Sequence, residues 1–397
     1  MKLMTRSLKA HILKDLDRKM VFLAGPRQCG KTTLAKDILK ERVGSSYSWD
    51  IDRQRRIIRD HKMNEASPLW VFDELHKYRM WRNWLKGVYD FHHERHAILV
   101  TGSVNLAVYS RGGDSLQGRY FLYRLHPFTL TEFLGVPIPD TTNILDCTRG
   151  PETPGSSEAL RNLLEYGGFP EPLLSSSKRE AARWRLSYGS RLVREEVRSL
   201  ESIRDIDRLE LLYDRLPEVV GSPLSIKSLS EDLEVAFETV RHWLSVFENL
   251  YVCFRVPPFG APRLKAVKKE QKLYLWDWAG IENMGHRFEN LIAAHLLRYC
   301  HWCEDVQGEK IELRYFRDTV GHEVDFILLK KNKPWLAIEV KLNESKRDRN
   351  LKYLLERVKF SQAYQLTLSS QDNYRLPDVN GCPLRIMPAT SFLTCLP

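Results

Sequence analysis

Eight consecutive residues, Gly25-Pro26-Arg27-Gln28-Cys29-Gly30-Lys31-Thr32, have the composition and spacing of a phosphate-binding loop, and Thr33 follows them. Glycines at both ends let backbone N–H groups curl around phosphate oxygens, and a helix starting at the second glycine adds the positive end of its dipole. Lys31 has the reach to meet β- and γ-phosphates, and the Thr32 hydroxyl is a hard oxygen ligand for Mg²⁺. A nucleotide site of this kind needs two further groups. The run Leu69-Trp70-Val71-Phe72 ends in Asp73-Glu74, where Asp73 would hold the Mg²⁺ and Glu74 would polarise the water that attacks the γ-phosphate. A third apolar run, Ala97-Ile98-Leu99-Val100, ends in Thr101-Gly102-Ser103. Ser103 there reads either as a γ-phosphate sensor or as a simple turn residue.

A second constellation lies near the other end. Asp325 stands at the start of the apolar run Glu323–Leu329, and Glu339-Val340-Lys341 closes the run that begins at Trp335. The polar turn Lys331-Asn332-Lys333-Pro334 joins the two runs as a hairpin, and strand periodicity puts Glu339 and Lys341 on one face. Glu289 lies upstream in Arg287–Leu297, an amphipathic helix with Phe288, Leu291, Ile292 and Leu296 on one side. An acidic helix residue, an Asp and a Glu-x-Lys in this order form the PD-(D/E)XK nuclease pattern. There, carboxylates such as Glu289, Asp325 and Glu339 hold Mg²⁺ or Mn²⁺, and a lysine such as Lys341 stabilises the attacking water or the transition state. The competing accounts are a solvated Glu-Lys pair on a strand edge, or the same fold without cutting activity. Lys330, Lys331, Lys333, Lys346, Arg347 and Arg349 lie nearby and would supply phosphate contacts.

The elements that must position these groups are legible in outline. Met20–Ala24 reads as a buried strand before the loop and Thr33–Leu39 as a helix after it, and strands alternate with helices from about 18 to 135. The Pro-, Thr- and Gly-rich stretch 137–157 reads as a surface loop or linker, and 157–216 as helical with a break at Gly167-Gly168-Phe169-Pro170-Glu171-Pro172. Ser225–Leu233 and Phe237–Asn249 read as two helices, followed by a strand, Tyr251–Val256, stopped by Pro257-Pro258. That order resembles a winged helix, with Glu238, Arg241 and His242 on the exposed face of the second helix for either DNA contact or protein packing. Arg263, Lys265, Lys268, Lys269 and Lys272 form a basic connector, either solvated or touching phosphates.

Composition narrows the partners. The chain of 397 residues has room for two to three domains, and its 43% hydrophobic and 28% charged fractions suit a globular protein. No apolar run approaches a membrane span, and Met1–Lys9 lacks the apolar core of a signal peptide. Seven scattered cysteines fit a reducing cytoplasm, with the Cys300/Cys303 pair read as unpaired core thiols. A net charge of +10 points to an anionic partner, DNA above all.

Taken together, these motifs resemble a group of prokaryotic AAA-type P-loop ATPases with a C-terminal domain of unknown function related to PD-(D/E)XK nucleases. The resemblance rests on GPRQxGKTT, FDE, TGS, Leu116-Gln117-Gly118-Arg119, the HPFTLTEFL and GGFPEP segments, Thr239-Val240-Arg241, Lys272–Trp278, RFEN, and EVDF with EVK. It implies ATP and Mg²⁺ as ligands of Gly25–Thr33. Arg119 is a candidate arginine finger, with a helix cap or a surface salt bridge as the alternatives. Where similar proteins have Arg-Asp after the lid helices, this chain has Arg194-Glu195, which puts any role of that Asp in doubt.

The expected architecture is α/β: a P-loop AAA-type parallel sheet (1–135), a linker and helical lid (136–215), a winged-helix-like segment (216–258), a basic connector (259–285) and a PD-(D/E)XK-like α/β domain (286–397). The expected function is Mg²⁺-dependent ATP hydrolysis in a cytoplasmic homo-oligomer acting on DNA. The alternative is a regulatory ATPase that gates protein partners and does not cut.

Overall fold

A computed structural model of the chain describes residues 4–103, 116–137, 144–146, 153–197, 205–260, 270–343, 346–369 and 373–397. It divides into two compact units: residues 1–127 with 249–251 and 305–307, and the remainder.

The first unit is built on five parallel strands: β1 (Met20–Ala24), β2 (Ser45–Ser48), β3 (Leu69–Asp73), β4 (Ala97–Gly102) and β5 (Tyr120–Arg124), in the order β2-β3-β4-β1-β5. Strands β1 and β4 are buried along their whole length, which is why they read as unbroken apolar runs rather than alternating ones. Helices α1 (Lys9–Asp15), α2 (Lys31–Glu41), α3 (Asp52–Arg59) and α4 (Trp81–His92) accompany them. One core gathers Phe22, Trp70, Phe72, Trp81, Trp84 and Leu85. The order places β4 between β1 and β3, so the phosphate loop and the acidic pair emerge at the same sheet edge with one strand between them. Asp305 belongs to this unit, where it accepts from the Arg124 backbone N–H at 2.9 Å and from its guanidinium.

The second unit begins with helices α5 (Leu130–Leu134), α6 (Ser156–Tyr166), α7 (Pro170–Ser175), α8 (Lys178–Arg191) and α9 (Ile206–Arg215). The break read at Gly167 is real: its φ is +83°, and an added Cβ would lie 2.5 Å from Asp277 Oδ1. Helices α10 (Ile226–Asp232) and α11 (Phe237–Asn249) follow, then the antiparallel pair β6 (Cys253–Val256) and β7 (Lys272–Leu275). Much of the expected loop 137–157 lies outside the described residues, as do Arg263, Lys265, Lys268 and Lys269. The side chain of Glu195 is also outside them, while Arg194 pairs with Glu210 at 2.6 Å.

Helix α12 (Met284–Trp302) then packs beside a six-stranded mixed sheet. That sheet comprises β8 (Ile311–Arg317), β9 (Glu323–Lys330), β10 (Lys333–Lys341), β11 (Gln362–Thr367), β12 (Tyr374–Val379) and β13 (Cys382–Pro388), ordered β12-β13-β11-β10-β9-β8. Helices α13 (Arg349–Arg357) and α14 (Ala389–Leu393) complete the unit. The β9–β10 hairpin forms as expected, with Lys331 and Asn332 both at positive φ in its two-residue turn. Helix α12 corrects an expectation. It buries Asn290, Ala293, Ala294, His295 and Arg298 as well as its apolar stripe, so it is an interior helix rather than an amphipathic one. Cys300 on its last turn and Cys303 just beyond its end are buried thiols. Among the described residues no helix is long and apolar enough to cross a membrane.

Candidate functional site

In the first unit, β1 runs straight into the loop and α2 starts at Lys31, immediately after Gly30 at φ +100°. Gly25 has φ +155°, and a Cβ there would sit 2.2 Å from the Leu125 carbonyl oxygen, so only glycine fits this entry to the loop. Arg27 and Gln28 are half-buried and Cys29 is buried, so Cys29 contributes backbone and packing rather than a thiol at the mouth. Lys31 is 6% exposed, and its ammonium donates to the Gly25 carbonyl at 2.9 Å and to the Pro26 carbonyl at 2.7 Å. A phosphate oxygen would replace these neutral acceptors with a charged one, the stronger partner for an ammonium.

The acidic pair meets the loop through Asp73. Thr32 Oγ1 donates to Asp73 Oδ2 at 3.0 Å. Thr101, paired in register with Asp73 on the neighbouring strand, donates its hydroxyl to Oδ1. A hydroxyl and a carboxylate this close are the hard-oxygen donor set that suits Mg²⁺, and Thr32 and Asp73 are the residues that would hold it. Glu74 follows in the left-handed region, φ +55° and ψ +28°, with its N–H on the Thr101 carbonyl. Ser103 is buried and donates to Glu74 Oε2 at 3.2 Å, so it faces the acidic pair rather than serving only as a turn. Lys77 lies 3.6 Å from the same oxygen while pairing with Asp50 at 2.8 Å. The His76 side chain is 4% exposed with Nε2 at 3.7 Å from Oε2, and burial, above all, lowers its pKa from the usual histidine value. Arg119 forms a forked ion pair with Asp90 on α4, with Nε to Oδ1 at 2.6 Å. In this structure it occupies the surface salt bridge that the sequence left as one of its alternatives.

The second constellation comes together around a residue assigned elsewhere. Lys272, read as part of a basic connector, is the first residue of β7 and its side chain is 1% exposed. Its ammonium lies 3.0 Å from Glu289 Oε1, 2.6 Å from Glu323 Oε1 and 3.5 Å from Asp325 Oδ1. The Tyr274 hydroxyl donates to Glu289 Oε1 at 2.7 Å, and Asn290 pairs with both the N–H and the C=O of Leu275, pinning β7 to α12. Asp325 Oδ2 accepts from the Val340 N–H at 2.9 Å. Glu339 accepts from the Asp325 N–H at 3.3 Å and pairs with Lys341 at 2.7 Å, and Lys341 also reaches Asp348 at 3.2 Å.

The expected residues therefore do cluster, with lysine ammonium groups set among their carboxylates. Among the described residues no group of three His, Cys, Asp or Glu side chains is arranged to hold a metal ion. A lysine ammonium sits among Glu289, Glu323 and Asp325, and the second lysine covers Glu339. Carboxylates outnumber these lysines. Burial first and the Asp325 charge second push the Glu289 carboxyl up to about 7, and the same causes raise Glu339 well above the usual range. The lysines are held charged, since the surrounding carboxylates outweigh the burial that would lower them.

Comparison with known proteins agrees with the first unit's geometry. Residues 17–134 match the AAA domain family. They form a P-loop AAA-type ATP-binding and ATP-hydrolysing domain. Residues 157–284 and 284–387 match two domains of unknown function, DUF8612 and DUF4143. The chain is similar to two uncharacterized proteins of Methanocaldococcus jannaschii: 23% identical over 86% of this chain and 79% of the relative, and 25% over 87% and 80%. An uncharacterized protein of Mycobacterium tuberculosis is 24% identical over 68% of this chain and 57% of its own length. A solved STAND ATPase with a tetratricopeptide repeat sensor, from Pyrococcus horikoshii, aligns with 76% of this chain and 48% of its own, at 12% identity and a TM-score of 0.30.

Within the AAA domain, Thr101 and His76 escaped the sequence reading. Thr101 had a usable signal, since a hydroxyl at the end of the strand beside the acidic pair falls in register with Asp73. In the second unit, Lys272 and Tyr274 stand two apart on one strand face, a spacing that could have placed both beside Glu289.

Proposed function

We propose that the chain is a Mg²⁺-dependent ATPase switch whose second unit binds partners without cutting nucleic acid. The observation that carries the first half is the 3.0 Å contact between Thr32 and Asp73, beside a buried Lys31 at the loop mouth. On this reading Gly25–Thr33 wrap the phosphates and Lys31 neutralises their charge, while Ser103 and Glu74 face the attacking water. Mg²⁺, when bound by Thr32 and Asp73, would neutralise charge on the phosphate oxygens. Glu74 takes the water's proton as the γ-phosphoryl group transfers. Purified protein should hydrolyse ATP with Mg²⁺ and stop with EDTA; equal turnover in both ends this reading.

The non-cutting half is favoured by Lys272, which gives Glu289, Glu323 and Asp325 a counter-ion of their own. DNA contact keeps the support of the +10 net charge. Helices α10 and α11 with β6 and β7 have the element order of a winged helix, yet Arg241 on the exposed face is already paired with Glu238. DNA binding should therefore be weakly sequence-dependent and fall steeply with salt. Plasmid incubated with the protein and Mg²⁺ or Mn²⁺ should stay supercoiled; Asp325-dependent nicking would reverse this half. Homo-oligomerisation would supply Arg119 to a neighbouring copy once its pair with Asp90 opens. Specific activity that rises with protein concentration supports that arrangement, and a monomeric mass in ATP with flat specific activity refutes it.

A further inference from the structure

Glu74 is held by a group that its proposed role does not use. His76 lies on the single 3-10 turn Leu75–Lys77 that follows the left-handed Glu74, and this reversal carries the imidazole back beside the carboxylate. The side chain is 4% exposed, and among the described residues neither ring nitrogen has a hydrogen-bond partner. Nε2 stands 3.7 Å from Glu74 Oε2, a few tenths of an ångström beyond a hydrogen bond. A buried imidazole with both nitrogens unpartnered bears a desolvation cost that a phenyl or isobutyl group of similar size would not. The nearby charges are Glu74, Lys77, Lys31 and Asp50, which places the ring at the nucleotide site rather than in a distant part of the core.

We propose that His76 is a positioning residue for ATP hydrolysis: its Nε2–H takes the Glu74 carboxylate as acceptor and aims the other oxygen at the attacking water. The proposal rests on the reading of Glu74 as the water-polarising group. The contacts now made by Ser103, Lys77 and His76 all fall on Oε2, which leaves Oε1 as the oxygen to take the proton. Ser103 and Lys77 are poor permanent holders. Ser103 is the candidate for sensing the γ-phosphate, and Lys77 is committed to Asp50 at 2.8 Å. A neutral imidazole orients the carboxylate by one N–H without placing a full charge against it.

The test uses full-length protein and compares wild type, H76F, H76Q, E74Q and the double variant E74Q/H76F by steady-state ATP hydrolysis and fluorescent-ATP affinity. H76F keeps the ring's volume and loses the donor. Its kcat should fall roughly 10-fold or more, the scale of losing a partner that orients a reactive group, with KM, nucleotide affinity and melting temperature unchanged. H76Q, which restores an N–H donor, should recover most of that loss. In the E74Q background H76F should cost nothing further, because the two residues act as one unit. H76F at the wild-type rate, H76F and H76Q equally slow, or additive losses in the double variant would each overturn the role. A slow E74Q with a fast H76F fails His76 alone, whereas E74Q at the wild-type rate fails the Glu74 reading and this proposal with it. If H76F does not fold, H76L makes the same comparison.

Discussion

Thr32 Oγ1, on the helix that follows β1, and Asp73 Oδ2, at the end of β3, meet at 3.0 Å although β1 and β3 are not neighbours in the sheet. Strand β4 lies between them and contributes Thr101 to the other Asp73 oxygen, so three elements converge on one carboxylate. On the proposed reading, a phosphate beside this pair would meet the Lys31 ammonium. Lys31→Ala should therefore abolish ATP binding. The side chain's present partners are two carbonyls of its own loop, so the melting temperature should change by no more than a few degrees. Unchanged ATPase rates in a folded Lys31→Ala protein would remove the loop from the mechanism.

Glu74→Gln separates binding from hydrolysis. The amide preserves shape and leaves Asp73 and Thr32 untouched, so nucleotide affinity should hold. Turnover should drop by about 10²-fold or more, the scale of losing a general base. Single-turnover measurement with pre-bound ATP reads the chemical step alone, and a wild-type rate there would make Glu74 structural.

Acid should weaken the second unit through His295. Its Nε2 accepts from the Leu130 N–H at 3.1 Å and its Nδ1 pairs with the Leu291 carbonyl at 2.8 Å, an arrangement that only a neutral ring supports. Burial, opposed by the Leu291 bond and the Glu132 charge, lowers its pKa to about 4. The unfolded chain takes up this proton near pH 6.5 and the folded chain refuses it until about pH 4. Stability from His295 is thus complete above pH 6.5 and is lost as pH falls through that window, by about 3 kcal/mol. Glu289, raised to about 7, acts with the opposite sign, because the folded chain there keeps a proton that the unfolded chain releases. The measurement is therefore a difference: melting curves of wild type and His295→Gln from pH 7.5 to 4. The variant should show the shallower loss, and parallel curves would contradict the assignment.

The AAA domain was almost fully legible in the sequence because its chemistry is local. The loop, the acidic pair and Ser103 each sit at the end of a buried apolar run, and parallel strands announce themselves that way. His76 was not legible, since its position depends on a left-handed turn at Glu74 that no residue type there signals. In the second unit the β9–β10 hairpin was readable from alternation and turn residues, and Glu339 and Lys341 do share a face. The error was Lys272. Four of the five residues grouped as a basic connector lie outside the described residues, and the fifth begins a strand whose lysine is buried by carboxylates from α12 and β9. Charge clustering along the chain said nothing about that, because the partners are 17 to 53 positions away.

Lys272 also supplies the sharpest test of whether the second unit is a metal enzyme. Its ammonium stands within 3.5 Å of three carboxylates, two of which, Glu289 and Asp325, are expected metal ligands of the nuclease pattern. Wild-type protein should show no Mn²⁺-dependent rise in the melting temperature of this unit. Lys272→Met removes the charge but keeps the stem, leaving Glu289, Glu323 and Asp325 buried against one another. Losing one partner of a buried ionic cluster typically costs about 3–5 kcal/mol, so the variant should melt markedly earlier. Mn²⁺ should then recover part of that loss in Lys272→Met, because a cation restores the missing charge, and recovery should vanish when Asp325→Asn is added. Strong stabilisation of the wild type by Mn²⁺, abolished by Asp325→Asn, would instead mean that the lysine yields its place to a metal and that cutting activity must be reconsidered.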